Sequence, residues 1–171
     1  KSGIKISKQL RDTIHGYIMS DGYVNKNGIL TVDQSKKQRL FVLWLESELK
    51  LIKSSAGLKE QIRIHPITKK ETYSLRFYTK SVLHGFHSMW YAPYTDKKDV
   101  IRYKKKLPNS LNCCFNAQSI SVWFAGDGTK ILGSVGAKFE VTSFTVEERL
   151  KLKNLFLKRF AIKTIIIKSG K

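Results

Sequence analysis

Two nonapeptides constrain this chain more than anything else in it. Ile14-His15-Gly16-Tyr17-Ile18-Met19-Ser20-Asp21-Gly22 and Ile120-Ser121-Val122-Trp123-Phe124-Ala125-Gly126-Asp127-Gly128 stand 106 residues apart. Both close an apolar helical turn with a small residue followed by Asp-Gly, a good stop signal for a helix. A single Asp-Gly at a helix end is ordinary punctuation. Two of them, each between an apolar helix and a strand pattern in matching halves, form a repeat. The small residues Ser20 and Gly126, with Gly16 one turn earlier, let two such helices approach backbone to backbone, although Val122 in the second is bulkier. Packed side by side, the helices would bring Asp21 and Asp127 to one edge of their interface. Two carboxylates so placed repel, and one pKa rises. Mg²⁺ (or Mn²⁺) relieves that repulsion, because hard cations take oxygen ligands. It can also bridge carboxylates to a phosphate and activate water. Asp21 and Asp127 are therefore the candidate metal ligands and catalytic residues.

The duplication extends beyond the nonapeptides. Leu10, Ile14, Tyr17 and Ile18 keep helical period from Ser7 to Ser20. Tyr23 to Gln34 reads as a hairpin turning at Asn25-Lys26-Asn27-Gly28. Ser35-x-x-Gln38 reads as a capping box opening a helix to about Ile52, with Leu40, Leu43, Trp44 and Leu51 on its apolar face. A second hairpin turns at Lys69-Lys70, and a third helix is expected over Lys80 to Tyr91. Residues 1–95 thus form a first half, reading α-ββ-α-ββ-α. Residues 96–115, which include Pro108 and the run Lys104-Lys105-Lys106, read as a linker that starts just after Pro93. Residues 116–171 restart the order: a helix from Ala117 to Gly126, a hairpin from Thr129 to Phe144, a helix opened by Thr145-x-x-Glu148, and a strand from Ile162 to Lys168. The fold class expected is α+β, a pseudo-two-fold αββαββα duplication whose second copy is incomplete.

Charge narrows the partner. The chain of 171 residues carries 32 Lys+Arg against 13 Asp+Glu, a formal net charge of +19. Self-repulsion of that size points to a polyanion, and each phosphate neutralised releases condensed counterions. A paired-carboxylate glycosidase would have no use for it. No stretch approaches the roughly 18 apolar residues of a spanning helix, so no membrane partner is expected. Cys113 and Cys114 are adjacent, which excludes ordinary disulfide geometry between them, and no second Cys/His pair stands at zinc-ligand spacing. Lysines outnumber arginines 25 to 7, a bias that fits the A-rich codons of an organellar genome, mitochondrial or chloroplast.

The hairpins offer what reading double-stranded DNA needs, since a two-stranded ribbon fits the major groove and one face can meet base edges. Alternation assigns Gln61, Arg63, His65, Thr72, Ser74, Arg76 and Tyr78 to that face, opposite Ile62, Ile64, Tyr73, Leu75 and Phe77. Asn25, Thr31 and Asp33 in the first hairpin and Lys138, Glu140 and Thr142 in the third are assigned likewise. Lys26, Lys69, Lys70 and Lys130 are expected at phosphates, which position a protein without specifying sequence. His15, His84 and His87 fall on helices and read as packing or surface groups. Trp90, Tyr91 and Tyr94 read as core.

The paired nonapeptides resemble the signature motifs of single-chain LAGLIDADG homing endonucleases, in particular the organellar intron-encoded branch. Lys105-Lys106-Leu107-Pro108 before the second motif, and Phe144-Thr145-Val146-Glu147-Glu148 opening the helix after the third hairpin, are similar to further elements of that branch. The resemblance covers nearly the whole chain in order. It implies sheets forming a saddle over DNA, metal binding by Asp21 and Asp127, and double-strand cleavage in intron homing. It also implies that Lys105 is the basic residue positioning the attacking water or stabilising charge. Val122 departs from the family's glycine. The alternative left open is an RNA-binding splicing cofactor (maturase) for a group I intron, or a ribonucleoprotein component, with intron RNA as partner.

The second copy also lacks a strand, a terminal helix and a second active-site lysine that the family carries. The missing strand and helix are expected from a separate polypeptide completing the second half, or as part of a longer gene product, so Ile162 to Lys168 should be paired with a foreign strand or left as a bare strand edge. Ser169-Gly170-Lys171 reads as the beginning of a turn.

Overall fold

The computed structural model describes residues 3–168. The expected start of a turn at Ser169-Gly170-Lys171 lies outside them. Helix α1 (Lys8–Met19) begins at Ser7, whose side chain accepts from the Leu10 N–H. Strands β1 (Tyr23–Val24) and β2 (Leu30–Ser35) follow, joined by the predicted turn, in which Gly28 takes a φ of 68°. A Cβ there would also meet the His84 backbone nitrogen at 2.6 Å. After a 3-10 turn over Lys36–Gln38 come α2 (Arg39–Glu48), β3 (Lys59–Ile64), β4 (Glu71–Tyr78) and the short α3 (His84–Trp90). Strands β1 to β4 make one antiparallel sheet in the order β1-β2-β4-β3. Its buried face (Val24, Leu30, Val32, Leu75, Phe77) joins Ile14, Tyr17 and Ile18 of α1 and Val42 and Leu45 of α2 in the core. The mixed α/β architecture with antiparallel sheets is the one the repeat predicts.

Four details differ from the sequence reading. Ser35 caps the 3-10 turn by accepting from Lys37 N–H, and the Gln38 side-chain oxygen is buried without a partner, so no capping box forms. Helix α2 buries Val42 and Leu45, followed by Leu49 and Ile52, and leaves Leu40, Leu43, Trp44 and Leu51 exposed. Its sequence is apolar nearly all the way round, and the sheet selects the other stripe. The segment read as a linker holds a ribbon, β5 (Tyr91–Thr95) paired with β6 (Ile101–Lys105). Pro93 is tolerated because a two-stranded ribbon needs hydrogen bonds on only one side of each strand. Finally, Ile162 to Lys168 forms no strand. It has no regular secondary structure, with Ile162, Ile165, Ile166 and Ile167 exposed and no strand paired to it among the described residues.

The second half comprises α4 (Ala117–Asp127), β7 (Gly128–Lys130), β8 (Ala137–Phe139) and α5 (Val146–Phe160). The predicted capping box at Thr145 and Glu148 is present. Glu148 does more than cap, because one oxygen accepts from Thr145 N–H at 2.8 Å and the other from Leu107 N–H at 2.6 Å. It thereby ties the approach to α4 onto α5. Trp123, Phe139 and Phe156 make this half's aromatic core.

Candidate active site

Helices α1 and α4 pack backbone to backbone. A Cβ on Gly16 would come within 2.3 Å of the Ser119 carbonyl oxygen and 2.8 Å of Val122 Cβ, and one on Gly126 within 2.4 Å of Ser20 Oγ. The bulk of Val122 is thus absorbed by the absence of a side chain at Gly16. Farther up the pair, Gln118 donates to Thr13 and Asn116 donates to Asp12, fixing the register. The two helices end together: α4 closes on Asp127, and Asp21 follows the Ser20 cap of α1.

Lys105 reaches the same place from β6. Its Nζ donates to the carbonyl oxygens of Ile18 at 2.6 Å and Ser20 at 2.8 Å, which lie at the C-terminal end of α1 where intrahelical donors run out. Burial pushes its ammonium down to about 8, while the negative charges of Asp21 and Asp127 hold it up. One cation therefore feels both aspartates.

The aspartates differ. Asp21 is exposed, and one of its oxygens accepts from the Gln34 amide at 2.9 Å. Gln34 sits on the buried face of β2, and its nitrogen lies 3.4 Å from the Tyr17 hydroxyl, which also accepts from Asp33 N–H. Burial pushes that hydroxyl up to about 12, so it stays neutral. Asp127 is half-buried. Burial, then the charges of Asp21 and Glu140, push its carboxyl up to about 6, with Lys105 acting the other way. Glu140 stands 106 residues after Gln34, the same offset as the aspartates. Sequence reasoning missed Gln34, although counting that offset would have matched it to Glu140.

Oxygen donors that repel one another suit a hard divalent cation. Among the described residues no group of three or more His, Cys, Asp or Glu is placed to hold a metal. Two carboxylates would leave most of the coordination to water and phosphate oxygens, the arrangement Mg²⁺ favours.

The exposed face of the four-stranded sheet holds most residues assigned to DNA reading. Thr31 stands opposite Tyr78, Asp33 opposite Arg76, Gln61 opposite Ser74 and Arg63 opposite Thr72. Lys59, opposite Arg76 on the same face, was missed because β3 begins two residues earlier than the alternation suggested. Several of the assigned side chains are already engaged. Asp33 accepts from both Arg76 and Arg63, so these three form one cluster. Burial disfavours its charge, but the hydrogen bonds and charges of the arginines outweigh that and hold its pKa below the usual value. Asn25 accepts from Asn27 and Ile29 N–H and shapes the first turn. His65 Nδ1 accepts from Ile67 and Thr68 N–H and shapes the second. Ser74 is buried. Glu140 and Thr142 lie past the end of β8, where Glu140 accepts from Thr142 N–H, so they do not alternate with Lys138 along a strand. Lys26, Lys69, Lys70, Lys130 and Lys138 are exposed on or beside the hairpin turns. Toward the tip of β3–β4, Ile62, Ile64 and Tyr73 on the opposite face are exposed too, since no helix covers them.

The histidines and aromatics sort by burial. His15 Nδ1 accepts from Trp90 Nε1 at 2.9 Å, and His87 Nδ1 bonds the Val24 carbonyl. His84 is exposed. Trp90 and Tyr91 are core, whereas Tyr94 is exposed on the β5–β6 ribbon.

Residues 11–171 match the model of the LAGLIDADG DNA endonuclease family. No curated protein matches by sequence. Among solved structures, the homing endonuclease I-WcaI bound to its DNA recognition sequence is similar in fold. The TM-score is 0.72 at 18% identity, over 92% of this chain and 70% of that one.

Proposed function

The chain belongs to the LAGLIDADG DNA endonuclease family, and we propose that it cuts both strands of a specific duplex by metal-assisted phosphodiester hydrolysis. The observation that carries this reading is the paired helix ends, where Asp21 and Asp127 lie close enough to act on each other's charge with Lys105 beside both. Asp21 and Asp127 would hold the divalent cation, which supplies Lewis-acid polarisation of a scissile phosphate when bound. Gln34 orients the Asp21 carboxylate. Lys105 has three donors, of which two are spent on Ile18 and Ser20. The third can hold the attacking water or a phosphate oxygen. With a pKa of about 8, Lys105 is mostly protonated at neutral pH, so it acts as a donor and a charge.

Thr31, Gln61, Thr72, Tyr78 and the Arg63–Asp33–Arg76 cluster would meet base edges, with exposed lysines on phosphates. The lysine bias supports homing from an organellar intron. A splicing cofactor would use the same basic surface, but RNA binding alone gives no reason to keep two repelling carboxylates facing a polyanion. Purified protein with Mg²⁺ and DNA spanning its own insertion site tests the proposal. The expected product is a linear plasmid, and an intact plasmid at saturating enzyme would refute it.

A further inference from the structure

A cleft of about 520 Å³ lies between the first turn and the β5–β6 ribbon. Tyr23, Asn25 and Lys26 line one side, and Tyr94, Arg102 and Tyr103 the other. The first wall belongs to β1 and its turn, at the edge of the four-stranded sheet. Tyr23 stands opposite Thr31, so it shares the face assigned to DNA reading, and the cleft continues that face sideways. Arg102 is the basic residue of the second wall, and the ribbon that carries it is strongly basic, with six basic residues against two acidic between Tyr91 and Lys106, Lys105 among them turned to the active site. One of the two acids is already engaged, since Asp96 accepts from Lys98 N–H, Val100 N–H and the Arg102 Nε. Lys97, Lys98, Lys104, Lys106 and the guanidinium end of Arg102 are exposed, with no side-chain partner besides Asp96 among the described residues. A fold gains little from collecting that much unpaired charge on one small ribbon, and the core does not need it. Cations beside exposed tyrosines and a side-chain amide suit a sugar–phosphate strand.

We propose that the first turn and the β5–β6 ribbon form a backbone clamp, gripping DNA that flanks the segment under the four-stranded sheet. Lys26 and Arg102 each pair with a phosphate, and Tyr23 and Tyr94 supply hydroxyl donors and flat faces against the deoxyribose. The clamp rests on the DNA-cleaving reading above and gives a role to a segment whose sequence looks like a linker. Phosphate contacts carry no sequence information, so the clamp acts on affinity alone, and its loss appears in the salt dependence.

The test is fluorescence anisotropy of the full chain on a fluorescein-labelled duplex of mixed sequence, across a salt series without divalent metal. Lys26→Ala combined with Arg102→Ala is expected to make the slope of log K against log[salt] shallower by about 2, near 0.9 per phosphate. Tyr94→Ala is expected to weaken binding severalfold with the slope unchanged. All three side chains are exposed, so melting temperatures should stay at the wild-type value. Lys151→Ala, on the exposed side of α5, is the charge control and should leave binding as it was. A wild-type slope in the double variant overturns the clamp, and so does an equal loss from Lys151→Ala. If the variants weaken binding to a structured RNA hairpin and leave the duplex untouched, the DNA assignment is overturned. A wild-type chain with no affinity for duplex sinks the endonuclease reading itself. Normal wild-type binding with unaffected variants sinks only the clamp.

Discussion

At the first half-site Asp21 is exposed and takes a hydrogen bond from the buried amide of Gln34. At the second, 106 positions on in each case, Asp127 is half-buried and feels the carboxylate of Glu140. The hydroxyl of Tyr17 is satisfied by β2, while the indole nitrogen of its counterpart Trp123 is buried without a partner. His15, buried against Trp90, corresponds to the exposed Ser121. Shared geometry is retained where the two helices touch and end, because both halves need it. The surroundings of each aspartate answer to one half only and have diverged. The site is therefore symmetric in backbone and asymmetric in charge.

The largest test of that comparison is catalytic. Asp21→Asn and Asp127→Asn should each abolish double-strand cleavage while specific DNA binding stays within about tenfold, roughly 1.4 kcal/mol. Supercoiled plasmid reports the result, since nicked circles from one variant and intact plasmid from the other would show unequal halves. Linear product from either would break the proposal.

The interface should respond unequally as well. Gly16→Ala drives a methyl into the Ser119 backbone and should cost on the order of 2–4 kcal/mol in urea unfolding. Gly126→Ala meets the Ser20 hydroxyl, which can rotate away, and the Ser20 Cβ at 2.8 Å, which cannot; with no backbone atom in its way it should still cost less. Equal costs would mean that the helices yield as a unit.

Acid should destabilise the first half through its buried histidine, which has no titratable counterpart in the second. Burial lowers His15 from 6.5 to about 4, with Asp12 opposing. Between those values the unfolded chain binds a proton that the folded chain does not, so stability falls as pH drops from about 6.5 to about 4. The full effect is at most about 3 kcal/mol. His15→Gln should flatten that stretch of the urea-midpoint profile, and an unchanged slope would remove His15 as its cause.

Tyr17→Phe deletes a hydroxyl that accepts two hydrogen bonds and should cost about 1 kcal/mol. The smallest effect is Glu140→Gln, which gives the second half the amide of the first. Removing that charge lowers the Asp127 pKa, so the acid limb of the cleavage–pH profile should move to lower pH. Movement to higher pH would contradict the assigned repulsion.

The element order and the paired aspartates were legible because each rests on local pattern: helical period, capping residues, turn residues and a repeated ending. The buried face of α2 was not legible. Leu40-Phe41-Val42-Leu43-Trp44-Leu45 satisfies several stripes equally, and only the sheet decides that Val42 and Leu45 go in. The β5–β6 ribbon was hidden by Pro93 and the lysine run, both loop signals when context is absent. Gln34 was hidden because a glutamine facing a core gives no pattern until its counterpart is counted. The turn-shaping hydrogen bonds of Asn25, His65 and Glu140 were hidden for one shared reason, since side chains of those types close turns as readily as they read bases.

The meeting of Gly16 with Val122, and of Ser20 with Gly126, has a consequence for ancestry. A duplicated half descends most simply from a chain that once paired with a copy of itself, each position then facing its own twin. That option has closed. Two first halves would set Gly16 against Gly16 and leave a hollow, and two second halves would force Val122 against Val122 at a separation made for one side chain. The halves have become complementary strangers within one polypeptide, each shaped to refuse its own likeness.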